Sequence, residues 1–405
     1  MSMWRMSGIM GRGSSNSLFK RFQQTSMVLC CLGIALVPTV ASAASDVQFN
    51  LVTTIDLPGK PGAGDVVAAD PLLHKVYLSQ KGNNNVIVID TDTNTVAATV
   101  YGVNVGNGLT YNSDYIFVAS EKDEAVVVIS KKDWSIVKKV PTGGKAPDSI
   151  NYISKENAVA VVNNGSNTMS FISAQSPFSV IATMNLKDSP KVGPDLGVYV
   201  PETNTLYQPE DNNVLVINPK THTIGKMFTY DLPEKEPLRG LYFDSVKKIL
   251  WIATKGKQMF AVDATSGNIV AKFDATAGQD QITVDLKNRI LFAAESSTGL
   301  AEVIDMDAMR RLPDLYVGGK KGGSHTLDIM PDTNTIYAFE PLLNKVAVIK
   351  IEKTFPAYVL SPDDANKGIA LLQAAYKATD DDVVKAGFHR LANEFRKASG
   401  QPIED

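Results

Sequence analysis

Cysteine is nearly missing from this chain: its 405 residues carry two, Cys30 and Cys31, side by side near the N-terminus. Both fall in a segment with the marks of a secretory leader. Arg5, Arg12, Lys20 and Arg21 form a basic region without an acidic residue, "MVLCCLGIALV" (27–37) supplies an apolar core, and Ala41-Ser42-Ala43 is an A-x-A cleavage site. The apolar run is well short of the ~20 residues a membrane-spanning helix needs. No small residue precedes the cysteines as a lipoprotein signal requires. We therefore expect a signal peptide over residues 1–43, cleaved near Ala43, and a periplasmic or secreted mature chain. That mature chain has no cysteine, which excludes disulfides and thiol chemistry.

Positive charge is scarce as well. Cleavage would remove four of the 40 Lys and Arg and none of the 43 Asp and Glu, taking the formal net charge from −3 to −7. That balance speaks against a general nucleic-acid surface, leaving only local groups such as Lys320-Lys321. No later apolar stretch is long enough to span a membrane. Neither G-x-S-x-G nor H-E-x-x-H occurs, which removes the commonest hydrolase and zinc-protease arrangements. Histidine is limited to four, of which His74, His222 and His389 have no metal-spaced partner. With ordinary hydrophobic content and this length, a large core forms without staples.

What the chain has in abundance is repetition. "KVYLSQKGNNNVIVIDTDTNTVAATV" (75–100) reads as an alternating strand, a polar turn, a second strand, a turn and a third strand. Six related segments follow, among them "YIFVASEKDEAVVVISKKDWSIVKKV" and "ILWIATKGKQMFAVDATSGNIVAKF". Their first-strand anchors stand at 77, 117, 160, 207, 251, 292 and 337, spaced by 40, 43, 47, 44, 41 and 45. Another short alternating strand precedes each copy, so a unit holds four strands. Four-stranded units at this period predict an all-β, seven-bladed β-propeller. A solenoid has shorter coils, and a sandwich does not repeat seven times. The seventh unit lacks its outer strand after "KVAVIKIE" (345–352), and "FNLVTTIDLPGKP" (49–61) matches that strand and its turn. The N-terminus is therefore expected to close the ring and pair both exposed edges.

The segment "VYLSQKGNNNVIVIDTDTNTVAATV" resembles the YVTN-type β-propeller repeat, and the likeness covers roughly residues 49–351. Tyr-Val-Thr-Asn itself is replaced by "VYLSQ", "IFVAS" and "AVVNN". The resemblance implies an exported binding or scaffold protein. We place the propeller at 44–353 and a helical C-terminal extension at 354–405. Helix starts are expected at Ser361 and at Asp380–Asp382, with Ile369, Leu372 and Tyr376 on one face and Val384, Phe388, Leu391 and Phe395 on another. Such a pair of helices would either pack as a hairpin on the propeller or form a docking arm for a partner.

Aligning the inner strands puts one residue of each unit at the same place, ahead of the alternation. These are Asp65, Asn107, Asp148, Asp195, Arg239, Asp280 and His325. In a propeller they ring the channel mouth, a candidate ligand-binding set. The end of the next strand returns to that face with Gln80, Ser120, Asn163, Thr254, Glu295 and Glu340. Oxygen ligands suit a hard cation such as Ca²⁺, with Asp148, Asp195, Asp280 and Glu295 as candidate metal ligands. Like charges held close repel unless a cation or Arg239 compensates, and some carboxylates then take raised pKa values. Against this stand the ordinary polarity of a water-filled channel mouth and the distance expected between carboxylates on distant blades, which would keep them from sharing an ion. "DTDTNT" (90–95) mimics an EF-hand start but has Thr95 where the glycine belongs and Tyr101 where the acid belongs, so it reads as a hairpin turn. The glycine pairs at 143–144, 318–319 and 322–323 precede inner strands and read as turns between blades.

Two functions from different classes follow. The first is an exported, monomeric scaffold that binds a small molecule, a divalent metal or a protein partner at the channel mouth without catalysis. The second is a metal-dependent lactonase or lyase using the acidic ring, with His325 and Glu340 as acid and base.

Overall fold

The computed structural model describes residues 46–186, 195–233, 235–276, 278–354 and 362–377, together with 385, 389, 392, 393 and 396. The expected signal peptide, both expected helix starts and the face of Val384, Phe388, Leu391 and Phe395 lie outside these residues.

Residues Val47–Thr354 form one compact unit. Its strands make seven four-stranded antiparallel sheets, the blades of a β-propeller. The innermost strands are β2 (Val67–Asp70), β6 (Gly106–Tyr111), β10 (Pro147–Ile153), β14 (Val198–Val200), β18 (Leu238–Asp244), β22 (Gln279–Asp285) and β26 (Thr326–Met330). Blade 1 shows the plan: β2 pairs with β3 (Lys75–Gln80), which pairs with β4 (Asn85–Asp90), which pairs with β5 (Thr95–Tyr101). Closure follows the expected route. In the seventh blade the sheet order is β1 (Asp46–Asp56), β28 (Lys345–Thr354), β27 (Thr335–Glu340), β26, so the N-terminal strand is the outer strand of the last blade.

The recurring anchor has a physical reason. Tyr77, Phe117, Trp251, Phe292 and Tyr337 are almost wholly buried, because the middle strands of each blade are covered on both faces by neighbouring blades. Each interface owns a cluster; that across the closure joins Ile55, Leu57, Val76 and Leu78 to Tyr337, Phe339, Val346 and Val348. Burying one such side chain contributes about 1.5–3 kcal/mol, so the repeated anchor fixes the blade spacing.

The turn "DTDTNT" is a hairpin between β4 and β5. Asp90 accepts hydrogen bonds from the backbone N–H groups of Asp92 (3.1 Å) and Thr93 (2.9 Å), and Asn94 takes a left-handed φ of 52°. Asp263 and Asp305 cap the equivalent turns of blades 5 and 6 in the same way. A bond from Lys75, then one from the Thr93 backbone, holds the Asp90 carboxyl down at about 2.

Two ion pairs lock neighbouring blades near the far ends of the inner strands. Asp70 closes β2 and meets Lys131 of blade 2 at 2.6 Å, with both side chains at most 5 % exposed. Asp244 closes β18 and accepts a bidentate pair from Arg289 of blade 6, at 3.0 and 2.6 Å.

The connection between blades 6 and 7 contains a short helical turn, α1 (Gly319–Gly322), where the sequence suggested only a turn. The remaining described residues include α2 (Pro362–Lys377), on which Ile369 is buried, Leu372 half-buried and Tyr376 exposed. Among the described residues no helix is long and apolar enough to cross a membrane.

Candidate functional site

The seven leading positions stand just before or at the start of the inner strands, and the backbone there is irregular in a repeated way. Pairing between the first two strands shifts register between Gly106 and Leu109, Pro147 and Ile150, Leu238 and Leu241, and Gln279 and Ile282. Each shift takes in one leading residue and its successor: Asn107-Gly108, Asp148-Ser149, Arg239-Gly240 and Asp280-Gln281. A bulge of this kind turns a side chain off the regular alternation. Small residues make room for it. A Cβ on Gly108 would stand 2.6 Å from the Asp148 carbonyl oxygen, and one on Gly240 would stand 2.2 Å from that of Asp280. At these two junctions the inner strands approach closely because a glycine faces the next blade's leading residue.

The result is a cavity of about 180 Å³ lined by Asp65, Lys81, Asp148, Ser149, Asp195, Leu196, Arg239 and Asp280. Five members of the leading set, from five blades, thus converge. Arg239 is ion-paired with Asp195 through a short contact, and Lys81 lies 3.6 Å from Asp65. Asp148 accepts a bond from the Asn164 amide at 3.1 Å. Among the described residues the Asp280 carboxylate has no hydrogen-bond donor and no ion-pair partner within contact distance, while the Ser149 hydroxyl is 3 % exposed and unpartnered.

Electrostatics follow from crowding charges in a recess. Burial, reinforced by Asp65 and Asp195, pushes the Asp148 carboxyl up to about 7. Burial and Asp195 drive Asp280 well above its usual value despite Arg239. Asp65 is also raised by burial, against the pull of Lys81 and His325. Burial opposes the Arg239 charge, but Asp195, Asp280 and Asp148 more than offset it and hold its pKa above normal.

The other sequence candidates sit differently. His325 is half-buried and close enough to influence Asp65, but it does not line the cavity. Its carbonyl accepts from the Gln281 N–H at 3.4 Å. Asn107 donates to the Pro147 carbonyl at 3.2 Å in the wall behind the cavity. Glu295 is fully buried and occupied by its own hairpin, accepting from the Thr298 N–H at 3.0 Å and from the Ser297 and Thr298 hydroxyls. Glu340 is packed beneath the turn before blade 7, where a Cβ on Gly318 would lie 2.7 Å from its carboxylate. Burial raises Glu340, with Lys345 acting against it. Glu295 thus serves a hairpin within its own blade and Glu340 packs against the turn leading into blade 7, and neither lines the channel-mouth cavity. Gln80 bonds the Pro58 carbonyl and Asn344, and Ser120 bonds the Asn104 carbonyl and Asp123, to the same effect.

A divalent cation does not fit this donor set. Among the described residues no three His, Asp or Glu side chains come together as metal ligands. Arg239 and Lys81 already neutralise two of the four cavity carboxylates.

Lys81, Ser149 and Gln281 escaped the sequence reading. Lys81 sits on the turn after β3, the turn that faces the channel mouth beside Asp65. Gln281 stitches the closure: its amide donates to the Val67 carbonyl at 3.0 Å and accepts from the Thr326 hydroxyl. Nearby, Asp328 accepts from the Ala69 N–H at 2.8 Å and the Thr283 hydroxyl at 2.6 Å. Inner strands of different blades do not form a sheet, so side chains satisfy their free backbone groups.

The raised Asp148 pKa gives a pH prediction. The folded chain keeps this proton up to about pH 7, whereas the unfolded chain releases it near 3.8. Between those values the unfolded state holds fewer protons, so this contribution to stability is full below 3.8 and is lost as pH rises through 7. Asp148→Asn is expected to melt above wild type at pH 8 and together with it at pH 4. Equal melting at both pH values, read by circular dichroism, would show that the carboxyl titrates normally.

No protein-family model matches the chain, and no curated protein matches it in sequence. Solved structures do match in shape. The chain resembles the β-propeller domain of Cps50 (Swd1) from Myceliophteria thermophila, with a TM-score of 0.62 and 11 % identity over 75 % of this chain and 100 % of that one. It is equally similar to Kuenenia stuttgartiensis hydrazine synthase, with a TM-score of 0.62 and 15 % identity over 74 % of this chain and 96 % of the other. At such identities the likeness concerns the fold alone.

Proposed function

We propose that this chain is an exported β-propeller of the YVTN type that acts as a binding scaffold, capturing a ligand in the cavity at its channel mouth without chemistry of its own. The observation that carries the reading is the convergence of Asp65, Asp148, Asp195, Arg239 and Asp280, from five blades, on one cavity. A core that only needed to fold would not gather raised carboxylates there, because their burial works against stability. The leader-like composition of residues 1–43 supports export. The lactonase or lyase reading is weaker. Its acid and base, His325 and Glu340, do not line the cavity, and both cations that do are already paired, Arg239 with Asp195 and Lys81 with Asp65.

Native mass spectrometry tests the binding reading. Protein equilibrated with a small-molecule extract of its source cells is expected to carry an adduct that Asp280→Asn loses. An adduct equally abundant on both forms, or none on either, contradicts the reading.

A further inference from the structure

From the cavity's residues we infer that its ligand is an organic cation, presenting an ammonium or guanidinium group to Asp148, Asp280 and the Ser149 hydroxyl. The inference rests on the reading of the cavity as a binding site and specifies what it takes.

The charge count sets the sign. Four carboxylates and two cations line the space. Asp195 is matched by Arg239 and Asp65 by Lys81, within the protein. Asp148 and Asp280 remain, one with a neutral amide donor and the other with no donor among the described residues. An anion would have to displace an internal partner from Arg239 or Lys81 and then face both free carboxylates. A cation meets two acceptors that nothing else occupies.

The shape of the donor set selects an organic cation over a metal. The Ser149 hydroxyl, 3 % exposed with no partner, is a buried polar group awaiting a hydrogen bond from outside the protein. Serine can accept from an N–H donor, and two carboxylates with one hydroxyl match the several directed donors of an ammonium or guanidinium. A divalent ion needs six or more close oxygens, and Arg239 and Lys81 would repel it. A cavity of about 180 Å³ admits a small headgroup of this type.

Protonation couples to binding. The groups facing Asp148 and Asp280 are Asp65, Asp195, Arg239 and Lys81, with His325 beyond Asp65. A bound cation stabilises the ionised carboxylates, so binding releases protons and strengthens as pH rises through 7.

Isothermal titration of the mature chain with methylguanidinium and methylammonium, at pH 5.5 and 8, tests this. Acetate, glucose and Ca²⁺ serve as matched anionic, neutral and metal probes, and the tripeptide Gly-Arg-Gly separates a protein side chain from a free cation. At least one cation is expected to bind roughly tenfold more tightly at pH 8. Asp280→Asn and Ser149→Ala should each weaken it at least tenfold, while melting no lower than wild type at pH 8. Tighter binding of Gly-Arg-Gly identifies a partner side chain as the source, and binding of the small cations alone a free metabolite; either supports the inference. Binding of acetate, glucose or Ca²⁺ with loss in Asp280→Asn overturns the cation and leaves the site. No binding by any probe, with no effect of either variant, overturns both.

Discussion

Asp70→Ala is expected to lower the melting temperature by roughly 10 °C. Lys131 is 5 % exposed and meets Asp70 at 2.6 Å, above the rings of Tyr111 and Tyr77 at 4.2 and 5.5 Å. Removing the carboxylate strands an ammonium in a recess that already works against its charge, since burial lowers the Lys131 pKa. Breaking one side of a buried pair costs about 3–5 kcal/mol, and about 2–4 °C follows each kcal/mol in large domains. The Tyr77 phenol, which donates to Asp70 at 2.7 Å, and the Leu72 N–H would lose their acceptor too. Lys131→Met should cost less, because those two donors still serve the carboxylate. The double variant Asp70→Leu/Lys131→Met should recover most of the loss, since a buried pair exchanged for apolar groups is close to neutral. Thermal melts of the four proteins check this; additive losses in the double variant would mean that the two residues do not act as a pair.

Deleting residues 46–56 is expected to do more harm still, abolishing cooperative unfolding. Strand β1 is the outer strand of blade 7, and Ile55 packs into the core joining blades 7 and 1. Without it, β28 becomes a bare edge, and the ring loses the contact that joins its first and last segments. Asn344 anchors the same closure, donating to the Leu57 carbonyl at 2.7 Å while the Leu57 N–H donates to the Asn344 carbonyl at 3.0 Å. The deleted protein should aggregate or show a broad, non-cooperative melt in circular dichroism. Adding the peptide 46–58 in excess should restore part of the cooperative transition. A sharp melt near the wild-type temperature for the deleted chain would show that closure lies elsewhere.

The fold was legible because a blade is a local object. Strand alternation, the buried anchor at Tyr77, Phe117 or Trp251 and the Asp-capped turns at Asp90 and Asp263 are each encoded within a few residues. They recur because each blade interface repeats the same packing. Even the closure was readable, since a missing strand at one end matched a spare strand at the other. The leading residues of the site were readable for the same reason. What they do there was not. The bulges at Asp148-Ser149, Arg239-Gly240 and Asp280-Gln281 depend on how close one inner strand comes to the next, a distance between blades that no single repeat encodes. Strand-end acids looked equivalent to the leading residues, yet Glu295 and Glu340 are claimed by turns with local donors or tight packing. Lys81 lies in a glycine- and asparagine-rich turn and became relevant only once that turn stood beside Asp65.

Carboxyl ¹³C NMR titration of aspartate-labelled protein, with Asp148→Asn and Asp280→Asn variants for assignment, decides whether the channel mouth is a recess of crowded, partly uncompensated carboxylates poised to receive a ligand. One carboxyl, absent from Asp148→Asn, is expected to titrate at about 7, and a second, absent from Asp280→Asn, well above the usual 3.8. If both titrate near 4, the mouth is an open, hydrated surface and the proposed site does not exist.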